Sequence, residues 1–140
     1  MHIFLMLLLL TLVFTDWKKG KIPNVLIIIG SMAGIFLSKD LSTSIIQAIL
    51  VLIFFFPFYL LRAFGAGDIK CIAMIGLYLQ PDIFLKAILY TFLVAAAISL
   101  IKILSIKCRF KEKISLHNLT IHFAFPIFVG VFLSIGGIHL

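Results

Sequence analysis

Charge is the scarcest commodity in this 140-residue chain. Only 12% of its residues are Asp, Glu, Lys or Arg, and five are acidic, against 64% hydrophobic residues. With a mean hydropathy of +1.29, no soluble domain of this length hides so much apolar surface, whereas a bilayer accommodates it. Cysteine is equally sparse. Cys71 and Cys108 stand apart with no Cys-x-x-Cys pair, which argues against a zinc knuckle or a disulfide framework. Internal repeats and low-complexity linkers are absent, so the chain reads as a single membrane domain over residues 1–140.

What is present is apolar sequence in blocks. Six segments, roughly 3–15, 24–38, 45–61, 69–79, 83–106 and 119–139, carry the pattern of membrane helices. The expected fold is all-α, a polytopic bundle of about six transmembrane helices. The first block is not read as a secretory signal, because its positive charges follow it (Lys18, Lys19, Lys21) and no small-residue cleavage site is visible.

The net charge of +7 reflects topology rather than nucleic-acid binding. If the N-terminus is outside and every segment crosses, then Lys18, Lys19, Lys21, Arg62, Lys70, Lys107, Arg109, Lys111 and Lys113 face the cytoplasm. Lys39 and Lys86 face outward, and Lys102 lies near the cytoplasmic end of the fifth segment. Such a bias supports this orientation, and the expected location is the cell inner (plasma) membrane, multi-pass, with the site toward the cytoplasm. The fourth segment, 69–79, is short for a crossing helix, at about 16 Å against ~30 Å of hydrocarbon. A re-entrant path would put the basic stretch 107–117 outside, so a short crossing helix is preferred.

Two of the five acidic residues fall at ends of apolar blocks on the cytoplasmic side. Asp16 lies in Asp16-Trp17-Lys18-Lys19-Gly20-Lys21-Ile22-Pro23-Asn24, and Asp68 in Gly65-Ala66-Gly67-Asp68-Ile69-Lys70. A carboxylate beside lipid is costly and usually has a task. Asp68 could simply be a helix N-cap, and Asp16 an ordinary interfacial charge. Gly65 and Gly67 are expected to allow positive φ or close backbone approach. Pro23 and Asn24 suit the sharp start of a second helix. As a pair, the two carboxylates have a chemistry neither has alone. Like charges close together do not both ionise easily, so one holds a proton while the other accepts one. Water attack on an amide needs both.

Other polar residues carry less. Asp40 and Asp82 fall in outer turns, and Glu112 in a basic loop. His117 and His122 are five apart and do not share a helical face, and His2 and His139 gain no role, so no metal site is expected. Pro57 inside the third segment predicts a kink. Lys70 and Lys21 could steady a carboxylate or touch lipid phosphate.

Asp16 with Lys18, Ile22, Pro23 and Asn24, followed by Gly65-Ala66-Gly67-Asp68-Ile69-Lys70, resembles the type IV prepilin peptidases, membrane aspartyl proteases with a Gly-x-Gly-Asp motif. Phe125-Pro126 with Gly130 resembles that family's C-terminal proline-containing stretch, with Ile127 where a glycine is often found. The resemblance implies cleavage of the basic leader of prepilins or pseudopilins at the cytoplasmic face, with Asp16 and Asp68 as the catalytic pair. It implies substrate-binding or loop-shaping places for Gly65, Gly67, Lys70, Lys21, Pro23, Asn24 and Pro126. Neither metal nor other cofactor is implied. Larger members carry paired cysteines and methylate the new N-terminus. Lacking that pair, this chain is expected to be a peptidase without methyltransferase activity, similar to the short enzymes of tight-adherence pili or to preflagellin peptidases. The presenilin group is a poorer match, having Tyr-Asp where this chain has Thr15-Asp16. Two other classes remain: a small transporter, and a non-catalytic subunit of a pilus or secretion assembly.

Overall fold

The computed structural model describes residues 2–20, 22–38, 40–61, 64–109 and 123–136. These form six helices: α1 (His2–Lys19), α2 (Asn24–Leu37), α3 (Leu41–Leu60), α4 (Ala66–Gly76), α5 (Pro81–Arg109) and α6 (Ala124–Ile135). Several boundaries differ from the sequence reading. Helix α1 continues a turn past Asp16, since Trp17, Lys18 and Lys19 all tolerate helix, and stops at Gly20 with φ 62°. Helix α5 runs on through Lys107 and Arg109, which were expected in a loop. Asp82 lies in the first turn of α5 rather than in a turn outside it. Helix α3 passes through Pro57 and ends three residues later. Arg62, Lys39, His117, His122, His139 and the basic residues beyond Arg109 lie outside the described residues.

Two helices, Leu41–Leu60 and Pro81–Ser105, are long and apolar enough to cross a membrane, and α2 and α6 are shorter apolar helices. Only 17% and 22% of the two long segments is buried, which is the reverse of a soluble core helix. Bulky side chains such as Phe36, Phe54, Leu61 and Leu93 point outward. Exposed apolar area on that scale fits lipid rather than water.

Helix α4 sits at the centre, with nearly every residue from Ile69 to Gly76 buried, and it packs against α2, α3, α5 and α6. The seam with α2 is made by Gly30 and Gly34, a small-x-x-x-small spacing. A Cβ on Gly30 would strike the Met74 sulfur, and one on Gly34 would lie 2.9 Å from the Leu77 Cβ. Helix backbones approach this closely only where side chains are absent. The Tyr78 hydroxyl donates to the Gly30 carbonyl across the same seam.

Helix α4 spans only 11 residues, about 16 Å. Its end is followed by a turn whose residues Leu77, Tyr78 and Leu79 are buried. Orphan carbonyls in such a place need partners. Gln47 of α3 supplies them. With its amide oriented so that the NH2 group faces the turn, its nitrogen lies 3.0 Å from the Gly76 oxygen and 3.2 Å from the Leu79 oxygen. Gln47 is six residues from the start of α3, about 9 Å along the axis, so the turn lies within the depth that α3 covers. Replacing Gln47 by Ala should therefore cost about 1–3 kcal/mol by leaving buried carbonyls unpaired. A lower thermal midpoint of the detergent-solubilised protein is expected, and an unchanged midpoint would contradict this role.

Candidate active site

Asp16 reaches the protein interior because of helical register. The buried positions of α1 are Leu5, Leu8, Leu9, Leu12 and Asp16, one continuous stripe at three- and four-residue spacing. The carboxylate thus extends a leucine stripe, and its residue is only 6% exposed. The chain then turns sharply, with the Gly20 N–H donating to the Asp16 carbonyl at 2.7 Å. Gly20 is in the left-handed region, where a residue without Cβ is at ease. Lys18 beside it is exposed, and Lys21 lies outside the described residues.

Pro23 caps α2 with φ −71° and ψ 125°, and Asn24 is the first helical residue. This places the α1–α2 connection against the start of α4. A Cβ on Gly67 would stand 3.2 Å from the Ile22 Cβ. The Lys70 ammonium donates to the Asn24 side-chain oxygen at 3.4 Å. Residues 46 positions apart are thereby joined, two residues on from Asp68.

Asp68 is the third residue of α4, and the N-cap is Gly65, so the N-cap expectation for Asp68 is corrected. Gly65 has φ −72°, and among the described residues Gly20 is the glycine with positive φ, which corrects the expectation for the Gly-Ala-Gly stretch. Close approach, not left-handed backbone, is what these glycines provide. A Cβ on Gly65 would stand 3.0 Å from the Asp68 carboxylate oxygen Oδ2. The Gly65 carbonyl accepts the Asp68 and Ile69 amide hydrogens at 3.1 and 3.4 Å, which starts the helix.

Asp68 stands just ahead of the apolar stretch 69–79. Its carboxyl is pushed up to about 6, first by burial and next by the negative charge of Asp16, against a smaller opposing effect of the Gly65 backbone hydrogen bond. The charge of Asp16 is thus felt at Asp68. A carboxyl raised in the folded state binds its proton more tightly there than in the unfolded chain. Its contribution to stability therefore declines as pH rises from about 4 to about 6.

Pro126 is fully buried in α6 and belongs to the core that α6 forms with α1, α4 and α5. Gly130 on the same helix allows α6 to press on α5, where a Cβ would lie 2.8 Å from the Ala87 carbonyl oxygen. Among the described residues no three His, Cys, Asp or Glu side chains gather as a metal site. Gln47, Gly30 and Gly34 support α4 and were not singled out from the sequence. The signals were a lone amide in the apolar run of α3 and a small-x-x-x-small spacing in α2.

The electrostatic link has a direct readout. Asp16→Asn removes the second-largest cause of the raised Asp68 carboxyl, so the Asp68 titration, followed by its infrared carboxyl band, should move down from about 6. An unmoved titration would contradict the link.

Comparison with curated proteins and with solved structures returns no match. A family model does match: that of the type IV leader peptidase family, over residues 3–100, a stretch that contains Asp16 and Asp68 and stops short of Pro126. That stretch is well over half of the chain, and with it the protein belongs to the type IV leader peptidase family.

Proposed function

We propose that the chain is a membrane aspartic endopeptidase that removes the basic leader of prepilin-like or preflagellin-like proteins, with Asp16 and Asp68 as its catalytic pair. Membership of a leader peptidase family supports the peptidase activity. The choice of residues is supported above all by this: the Asp68 carboxyl at the head of α4 is pushed up to about 6, first by burial and next by the charge of Asp16, a buried residue at the end of the α1 stripe.

The chemistry follows from that shared proton. In the resting pair, one carboxyl is protonated and the other ionised. The ionised member takes a proton from water as the oxygen attacks the scissile carbonyl carbon. The protonated member gives its proton to the carbonyl oxygen, forming a neutral tetrahedral gem-diol. Collapse of the gem-diol returns a proton to one carboxylate, while the leaving nitrogen takes a proton from the other. The C–N bond breaks, and the pair is back in its starting state. Lys70, held by Asn24, and Gly67, packed on Ile22, keep the two loops adjacent.

In this reading the whole chain is one membrane domain of about six crossing segments in the inner (plasma) membrane. The site faces the cytoplasm, where the basic residues gather. The substrate approaches from the bilayer, its leader in the cytoplasm and its apolar helix in lipid. With no Cys-x-x-Cys pair in this sequence, the reading proposes leader cleavage alone.

Asp16→Asn and Asp68→Asn, made singly in cells producing a candidate prepilin, should each abolish leader removal while the amount of enzyme in the membrane stays normal. Full processing by either variant would end this reading. The pH dependence of kcat/KM should be bell-shaped, with activity lost on the alkaline side as the pair gives up its last proton, a limb placed near pH 6 by the free-enzyme carboxyl. A flat profile across the acid and neutral range would contradict a shared-proton pair.

A further inference from the structure

Phe64 immediately precedes Gly65, the residue whose carbonyl starts α4 and whose Cα borders the Asp68 carboxylate. Its ring is enclosed by four others. Phe55 and Phe58 of α3 lie 5.8 and 6.2 Å away between ring centres, Phe92 of α5 lies 5.9 Å away, and Phe123 at the start of α6 lies 5.4 Å away. All four meet Phe64 edge-on, with interplanar angles of 74–87°. This is a favoured geometry for aromatic quadrupoles, and four such contacts hold the half-buried ring. Phe55 and Phe92 are themselves stacked, which joins α3 to α5 beside Phe64.

We infer that Phe64 is a positioning residue for the Asp68 carboxylate: three helices that carry neither aspartate grip its ring and thereby set the backbone from which Asp68 is presented. The inference rests on the proposed catalytic role of Asp68. The connection is short. One peptide unit separates the gripped residue from Gly65. The Gly65 N–H contributes to the Asp68 environment, and a Cβ on Gly65 would crowd Oδ2 at 3.0 Å. A shift of the Phe64 ring is a shift of Gly65, and Asp68 follows through the hydrogen bond that its backbone N–H donates to the Gly65 carbonyl. Misplacing a reacting group by ~1 Å costs up to about a hundredfold in rate. Phe54 packs on Phe55 and Phe58 from the exposed side and lies outside this set of five rings.

The test compares Phe64→Leu, Phe64→Tyr and Phe54→Leu with the wild-type enzyme on a leader-bearing prepilin-like substrate in detergent. Asp68→Asn is run beside them. Phe64→Leu loosens the grip and should lower kcat at least tenfold, with KM within twofold. Phe64→Tyr keeps the ring edges and should restore kcat, and Phe54→Leu should leave it unchanged. Wild-type kcat in Phe64→Leu, or equal losses in Phe64→Leu and Phe64→Tyr, overturns the inference. If Phe64→Leu fails to accumulate in the membrane, Phe64→Tyr decides alone: a folded but inactive Tyr variant overturns it, and a fully active one supports it. Should Asp68→Asn cleave normally, the catalytic reading itself falls, which is a separate outcome.

Discussion

A short helix in an apolar setting must have its end groups satisfied, and α4 is organised around that requirement. A backbone carbonyl or amide without a partner away from water is costly, so a helix of 11 residues survives among lipid-facing neighbours only if other elements reach its ends. Gln47 reaches the C-terminal end. At the N-terminal end, the Gly65 carbonyl accepts the first helical amide hydrogens, and the Asp68 carboxyl sits beside the Gly65 backbone. The seam of Gly30 and Gly34 holds the flank. Once α4 is fixed in depth, Asp68 is fixed with it.

The same arrangement accounts for the electrostatics. Burial and a neighbouring negative charge are both unfavourable to an ionised carboxylate, and a loosely packed helix end would relieve both by moving toward water. Here the Ile22 contact, the Lys70–Asn24 hydrogen bond and the core packing of α4 oppose that movement. Stability is given up locally so that a carboxyl keeps its proton at a pH where an exposed one is ionised. The rest of the bundle supplies the rigidity that makes this tolerable, notably the close α5–α6 contact at Gly130.

Much of this was legible in the residues, and for identifiable reasons. A charged group in an apolar sequence is conspicuous, so Asp16 and Asp68 stood out at once, as did the six apolar blocks. Side-chain register within those blocks was less visible. Where nearly every position is hydrophobic, periodicity does not separate the core face from the lipid face, and the inward stripe ending at Asp16 emerges only from the packing. Hydropathy averages away a single amide such as Gln47, although a lone amide inside such a run is itself a marker of an internal polar partner. For the glycines before Asp68, close approach holds and positive φ does not. Both adopt negative φ, and what matters is the absence of a side chain facing Ile22 or the Asp68 oxygen.

The central claim is one of proximity between the end of α1 and the head of α4. Cysteine cross-linking in native membranes tests it most directly, with Asp16→Cys and Asp68→Cys combined in a background carrying Cys71→Ala and Cys108→Ala. A short thiol-bridging reagent should join positions 16 and 68 within one chain, rapidly and in high yield, while a pair made from position 16 and an outer residue such as Asp82 should remain unjoined. Failure of the 16–68 pair to cross-link, with both thiols shown to be reactive, would contradict the account.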